Sequence, residues 1–239
     1  MKVINNLLNY QDLKIVQDTD SFMFSLDSVL LADFVNVNKK MNIIDFCTGN
    51  APIPLFLSHK IKRVIGVEIQ KDIYELAKET VKINNLEDKI EVINMDVKHL
   101  PLVYETDTFD LITCNPPYFK ITETSNLNKN RNKAVARHEL TLNLEDIFKV
   151  AKKILKNNGK IAIVHRTERL IDIISNMRNN NIEPKRIRFV FPKEGKKSNM
   201  VLIEGNKNGK PGIIIESPLI AHNDSGDYSD EIKRIFNGG

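Results

Sequence analysis

From residue 42 onward the chain alternates between short apolar runs and segments with helical spacing. This alternation restricts the fold more than any other property. Residues 41–47, 63–69, 90–93, 110–114 and 160–164 are apolar, β-branched-rich runs of strand length. Between them, residues 52–59 read as a helix with proline in its first turn, and residues 71–84 place Ile73, Leu76, Ala77 and Val81 on one helical face. Asn143 can cap a helix that runs to Lys156 and ends at Asn157-Asn158-Gly159, and residues 168–179 read as another helix. Near-continuous apolar strands need cover on both faces, so the pattern predicts an α/β fold with a parallel sheet between helices. After Pro184 the alternation stops. Residues 186–191 and 200–204 are strand-like with only a loop between them, which predicts an antiparallel hairpin at the end of the sheet. Residues 205–239, rich in Gly, Asn, Ser and Pro, read as peripheral or partly mobile, and before residue 36 stand a strand-like run at 13–16 and an amphipathic helix from Asp27 to about Val37.

The 239 residues suffice for one large domain or for a domain with a small appendage, and 41% hydrophobic with 28% charged residues is an ordinary globular composition. No apolar run reaches the length of a membrane span, and the N-terminus lacks the basic-then-apolar layout of a signal peptide, so a cytoplasmic protein is expected. Cys47 and Cys114, each at the end of a predicted central strand, read as reduced core thiols. No Cys/His cluster has ligand spacing, so no metal is expected. The net charge is only +4, yet the segment 126–137 holds Lys129, Arg131, Lys133 and Arg137 with no acid, and the segment 185–197 holds six basic residues against Glu194 alone. Basic patches on a near-neutral body suit a polyanionic partner; a solvated Lys-rich surface is the plainer alternative.

The strand ends carry the chemistry. Asp45 and Gly49 stand in a tight turn after the first predicted strand, where an open α/β sheet binds its ligands. One glycine is too few for a pyrophosphate cradle, which favours a cationic, non-phosphate ligand. Glu68 follows 19 residues after Gly49, near the spacing at which an acid bonds ribose hydroxyls. Asp96, after the third strand, can accept from an adenine amino group while the next backbone N–H, that of Val97, meets a ring nitrogen. Together these describe an adenosine-shaped ligand without phosphates. After the fourth strand comes Asn115-Pro116-Pro117-Tyr118. Successive prolines fix φ, remove two donors and hold their predecessors extended. The turn therefore offers carbonyl oxygens, an Asn amide and a Tyr ring, a grip for a planar amine or amide nitrogen.

In this order and setting, Asp45-x-x-x-Gly49, Glu68, Asp96 and Asn115-Pro116-Pro117-Tyr118 resemble the amino-methylating branch of the class I S-adenosylmethionine methyltransferases. The resemblance implies a Rossmann-like, seven-stranded, mostly parallel sheet ending in an antiparallel hairpin. It assigns the methionine end of the cofactor to the turn Asp45, Cys47, Gly49 and Asn50, the ribose to Glu68 with Ile69 beside it, and the adenine to Asp96 and Val97. The family usually has a second glycine where this chain has Ala51. A closer resemblance, to bacterial tRNA1(Val) adenine-37 N6-methyltransferases, covers nearly the whole chain. It rests on the segments 24–32, 45–50, 136–139, 191–196 and 200–205. It implies that Phe24, Ser25 and Asp27 cover the cofactor, although a helix cap with a core aromatic is an equal reading of those three.

The resemblance implies an N-terminal element at 1–40, a catalytic domain at 41–206 and a C-terminal extension at 207–239 packed on or trailing it. Catalysis would fall to Asn115, Pro116, Pro117 and Tyr118. The RNA surface would comprise Lys120, Lys129, Arg131, Lys133, Arg137, His138, Arg186, Arg188, Lys193, Lys196 and Lys197, acting as a monomer on tRNA. The same tetrapeptide serves enzymes that methylate DNA adenine or protein glutamine amides. A DNA enzyme usually carries a separate recognition domain, and a glutamine-methylating enzyme needs no basic patch. A catalytically silent RNA-binding protein on the same fold is the remaining alternative, favoured by Ala51 alone.

Overall fold

A computed structural model describes residues 1–8, 12–18, 25–117 and 142–237. An antiparallel pair, β1 (Lys2–Asn6) and β2 (Lys14–Asp18), precedes helix α1 (Leu26–Phe34). The main sheet contains β3 (Ile43–Phe46), β4 (Val64–Glu68), β5 (Ile90–Asn94), β6 (Phe109–Cys114), β7 (Leu155–Arg166), β8 (Ile182–Lys193) and β9 (Met200–Lys207), with the short strands β10 (Ile214–Ile215) and β11 (Leu219–His222). Helices α2 (Pro52–Leu57), α3 (Lys71–Ile83), α4 (Leu144–Ile154), α5 (Leu170–Asn179) and α6 (Asp230–Phe236) cover it. The strand order is β10-β8-β9-β7-β6-β3-β4-β5, and β11 also pairs with β8. β3 to β7 run parallel, and β9 is antiparallel to both β7 and β8. The expected mostly parallel sheet with a terminal hairpin is therefore observed.

The burial pattern explains why the sequence read so clearly here. Along β7, Ala162 and Val164 enter the core shared with α1, α2 and α6, while Ile161 and Ile163 enter the core shared with α4 and α5. Both faces are dry, so neither can be polar. Helix α4 begins as expected: Asn143 Oδ1 accepts the Asp146 N–H at 3.0 Å, and the Asp146 carboxylate accepts the Asn143 N–H at 3.4 Å.

Three local differences have physical causes. α4 stops at Ile154 and β7 begins at once, so Asn157-Asn158-Gly159 is not a helix terminator. The β6–β7 register breaks there, Asn158 has φ 61°, and a Cβ on Gly159 would stand 2.8 Å from the Lys156 carbonyl oxygen. The Asn-Gly pair forms an irregularity inside the strand. β1 escaped the sequence reading because four of its five residues are exposed and no alternation marks it. The tail, whose composition reads as peripheral or partly mobile, joins the core over part of its length: Leu219, Ala221, Ile232 and Ile235 are buried, and the Ser229 hydroxyl caps α6. No helix among the described residues is long and apolar enough to cross a membrane.

β3 is the point from which the chain fills the sheet in both directions, β4 and β5 on one side and β6 and β7 on the other. The crevice outside the carboxyl ends at such a reversal is where open α/β sheets bind ligands.

Candidate active site

Asp45 anchors the crevice. It is fully buried near the end of β3, and its cross-strand neighbours are Gly66 on β4 and Thr113 on β6. The Thr113 hydroxyl donates to one carboxylate oxygen at 2.6 Å, and the Thr48 hydroxyl donates to the other at 2.6 Å. Burial pushes the Asp45 carboxyl up to about 7; the two threonine hydrogen bonds oppose that rise, and the Glu68 charge adds to it. The carboxylate thus faces inward and fixes the turn that follows. In that turn Cys47, Gly49 and Ala51 all have positive φ, at 56°, 59° and 69°. Only one of the three is glycine, and an L-residue in this region costs about 1–2 kcal/mol. The position of Ala51 explains why a glycine is usual there.

Glu68, buried at the end of β4, fastens the turn from the other side. It accepts the Gly49 N–H at 3.1 Å and the Gln70 N–H at 2.9 Å. Burial raises its carboxyl above the ordinary range, against these backbone hydrogen bonds. The exposed Asn94 amide clamps the same strand end, donating to the Glu68 and Ile69 carbonyls at 2.8 and 3.0 Å. Ile69 itself is exposed beside this carboxylate. Asp96 caps a short helical turn (Val97–Leu102) by accepting the Lys98 N–H at 2.9 Å, and Val97 is buried beneath it. Asn50 is fully buried; its amide donates to the Val16 carbonyl at 2.7 Å, while its side-chain oxygen has no hydrogen-bond partner among the described residues.

Asn115, Pro116 and Pro117 leave the end of β6 beside this turn, Asn115 and Pro117 half-buried and Pro116 buried. The Asn115 amide donates to the Ser28 hydroxyl on α1 at 2.9 Å. Cys114 is buried beneath, its thiol held well above the usual range first by burial and then by the adjoining Cys47 thiol. Ser25 is exposed, immediately before α1, and Asp27 lies in its first turn. Phe24, Tyr118, Lys120, Lys129, Arg131, Lys133, Arg137 and His138 lie outside the described residues.

The second basic segment divides. Arg186 donates to Glu216 at 2.7 Å, to the Phe34 carbonyl at 2.9 Å and to buried Glu204 at 3.4 Å, and its guanidinium lies 4.3 Å from the Phe34 ring centroid. Arg188 bonds Glu231 on α6 and the Ser217 carbonyl. Both guanidinium groups bind the sheet to the elements around it, so any phosphate they met would share them with these partners. Lys193, Lys196 and Lys197 lie at the β8–β9 turn, on the same sheet edge as the carboxyl end of β7, with Lys196 and Lys197 exposed. Sequence reasoning missed Ser28, Thr48, Gly66, Asn94 and Thr113. Their roles depend on partners in other elements, and only the β-branched pair Thr48 and Thr113 flanking Asp45 and Asn115 carried any local signal.

The Asp45 turn, Glu68 and Asp96 thus line one crevice where the order β8-β9-β7-β6-β3-β4-β5 reverses at β3. A family model described as a methyltransferase domain matches residues 37–226, and the chain belongs to that family. Similar proteins include the tRNA1(Val) (adenine(37)-N6)-methyltransferases of Bacteroides thetaiotaomicron, 26% identical over 235 residues and covering 97% of this chain and 95% of the relative, and of Aeromonas hydrophila, 22% identical over 229 residues and covering 95% and 93%. The fold matches the crystal structure of a predicted O-methyltransferase from Agrobacterium tumefaciens with a TM-score of 0.71 and 20% identity, covering 89% of this chain and 96% of that one. It also matches a geranyl diphosphate C-methyltransferase from Streptomyces coelicolor A3(2), solved with S-adenosyl-L-homocysteine, with a TM-score of 0.55 and 11% identity, covering 75% and 76%.

Proposed function

We propose that this methyltransferase methylates the exocyclic N6 of an adenine in RNA, namely adenine 37 in a tRNA anticodon loop, using S-adenosylmethionine. The observation that carries the reading is the placement of Asn115-Pro116-Pro117 at the end of β6, one strand from the Asp45 turn. The crevice suits the cofactor. Glu68, at the end of β4 and bonded to the Gly49 and Gln70 N–H groups, is the carboxylate that would face the ribose hydroxyls. Exposed Ile69 next to it offers an apolar surface to a base, and Asp96 with the Val97 N–H stands one strand further along. Asp45 would act through the turn it holds, since both its oxygens are already engaged. The cofactor supplies an electrophilic methyl group on a sulfonium.

The chain's own residues must do the rest. An adenine N6 lone pair is delocalised into the ring and attacks poorly. The Asn115 side-chain oxygen and the Pro116 carbonyl can accept the two N6 hydrogens, which aims the nitrogen and takes up positive charge as it develops. Holding both reactants in line adds an entropic advantage on the order of 7 kcal/mol in good cases. The target base must leave its stack, as bases in RNA loops readily do. Lys193, Lys196 and Lys197 share the edge on which that base would enter and can meet its phosphates. The near full-length similarity to tRNA enzymes supports RNA over DNA or protein as acceptor.

The test is incubation of the protein with labelled S-adenosylmethionine and total tRNA, followed by mapping of N6-methyladenosine. Label at adenine 37 of one tRNA is expected. Label on a glutamine amide of added protein, with none on tRNA, would overturn the substrate reading.

A further inference from the structure

The turn after β3 is a difficult piece of backbone to hold still. Cys47 and Ala51 take positive φ, at 56° and 69°, and neither is glycine. Left to itself, such a turn relaxes toward less strained conformations. The Gly49 N–H is held by Glu68 at 3.1 Å and the Ala51 N–H by the Thr48 carbonyl at 3.0 Å. Both bonds belong to the residues on either side of Asn50, and both tie the turn to the sheet or to itself.

Asn50 ties it to something else. Its Nδ2 donates to the Val16 carbonyl on β2 at 2.7 Å, across 34 positions of sequence. A backbone carbonyl only accepts, so the nitrogen is the end of the amide that faces it. Val16 is itself anchored to α3. Its N–H donates to the Thr80 hydroxyl oxygen at 3.0 Å, and its side chain packs with Ile73 and Leu76. Two residues earlier on β2, the Lys14 N–H and carbonyl both bond the Asn84 amide group at the end of α3, at 2.8 and 2.7 Å. Asn50, Val16 and Thr80 are each 0% exposed, so bulk water does not compete for these bonds. A continuous path of hydrogen bonds therefore runs from α3 through the N-terminal hairpin into the turn.

We propose that Asn50 is a positioning residue for cofactor binding: through Val16 it holds Ala51 in its left-handed conformation and makes the β1–β2 hairpin a working part of the S-adenosylmethionine site. This rests on the cofactor reading above. It also accounts for how the chain uses alanine where a glycine is usual, since the clamp opposes the strain that glycine would not have.

The test compares the full-length parent with Asn50→Ala, Ala51→Gly, the double variant and Thr80→Val, which loosens the hairpin without touching the turn. S-adenosylmethionine Kd by calorimetry, kcat on tRNA at saturating cofactor, and hydrogen exchange of the Gly49 and Ala51 amides in the cofactor-free protein are measured. Loss of the clamp predicts a Kd about tenfold weaker in Asn50→Ala, a smaller fall in kcat, and faster exchange at both amides. Ala51→Gly should tighten the parent by no more than about twofold, yet return the Asn50→Ala variant to within about threefold of the parent, because only the unclamped turn has a competent population left to recover. Thr80→Val should weaken Kd by about threefold, the Lys14–Asn84 bonds still holding the hairpin. An Asn50→Ala Kd within twofold of the parent overturns the proposal. So does a fall in kcat as large as the fall in affinity, or a double variant no tighter than Asn50→Ala. If Asn50→Ala does not fold, Thr80→Val decides, and an unchanged Kd and unchanged Ala51 exchange in that variant overturn the role of the hairpin. A parent that binds no S-adenosylmethionine overturns the cofactor reading itself, an outcome distinct from a parent that binds and variants that match it.

Discussion

The Thr48 hydroxyl oxygen lies 2.8 Å from where a Cβ on Gly66 would begin. Thr48 can bond Asp45 only because its cross-strand neighbour has no side chain. Gly66→Ala should therefore displace Thr48 and weaken a hydrogen bond to a buried carboxyl, costing about 2 kcal/mol. Urea unfolding should show the loss, and S-adenosylmethionine affinity should fall with it; a stability within 0.5 kcal/mol of the parent, roughly the scatter of neutral surface changes, would show that Thr48 can move freely.

The pH dependence of that centre has a definite sign. The Asp45 carboxyl is raised from an ordinary value of 3.8 to about 7. The folded protein then binds more protons than the unfolded chain between these values, so this group's contribution to stability is greatest below about pH 4 and declines as pH rises toward 7. Asp45→Asn removes the titration. The parent's stability relative to that variant should shrink steadily from pH 4 to pH 7 in thermal melts, and a difference that grows with pH would refute the assignment.

Arg186→Ala should act on stability. Glu204 is 1% exposed, and without Arg186 it retains, among the described residues, only the Lys160 ammonium at 3.0 Å. Removing one partner of such a buried group costs about 3 kcal/mol. Denaturant unfolding is the measurement, and the salt dependence of tRNA binding by the folded variant should match the parent.

The complementary change is Lys196→Glu with Lys197→Glu. Both side chains are exposed on the β8–β9 turn, so folding should be unaffected. If the two lysines meet phosphates as proposed, their loss should lower the slope of log K against log salt by about 1.4 to 1.8. An unchanged slope in filter binding would move the RNA surface elsewhere.

The two thiols should differ. Cys114 is buried with its thiol held far above the usual range by burial, while Cys47 is half-buried in the turn. Iodoacetamide should modify the folded protein at Cys47 alone, and S-adenosylhomocysteine should protect it. Labelling of Cys114 at the same rate would contradict this order.

The sheet was legible because β3, β4, β6 and β7 are buried on both faces and cannot hide in a polar sequence. Asn157-Asn158-Gly159 misled because the same residues that stop a helix also permit a break in strand register. The acids Glu68 and Asp96 were visible as strand-end carboxylates, but the inward bonding of Asp45 was not, since Thr113 lies 68 positions away. The structural partners of Arg186 and Arg188 were not legible, because a sequence shows charge without its partners, and Glu204, Glu216 and Glu231 come later in the chain.

β10 and β11 divide the outer side of β8 between them, Ile214 pairing with Arg186 and Leu219 with Val190. Without them a twelve-residue strand would present an open row of amides and carbonyls to other chains. The tail is thus a guard against self-association, and removing everything after β9 would turn the sheet's last long strand into a template for aggregation.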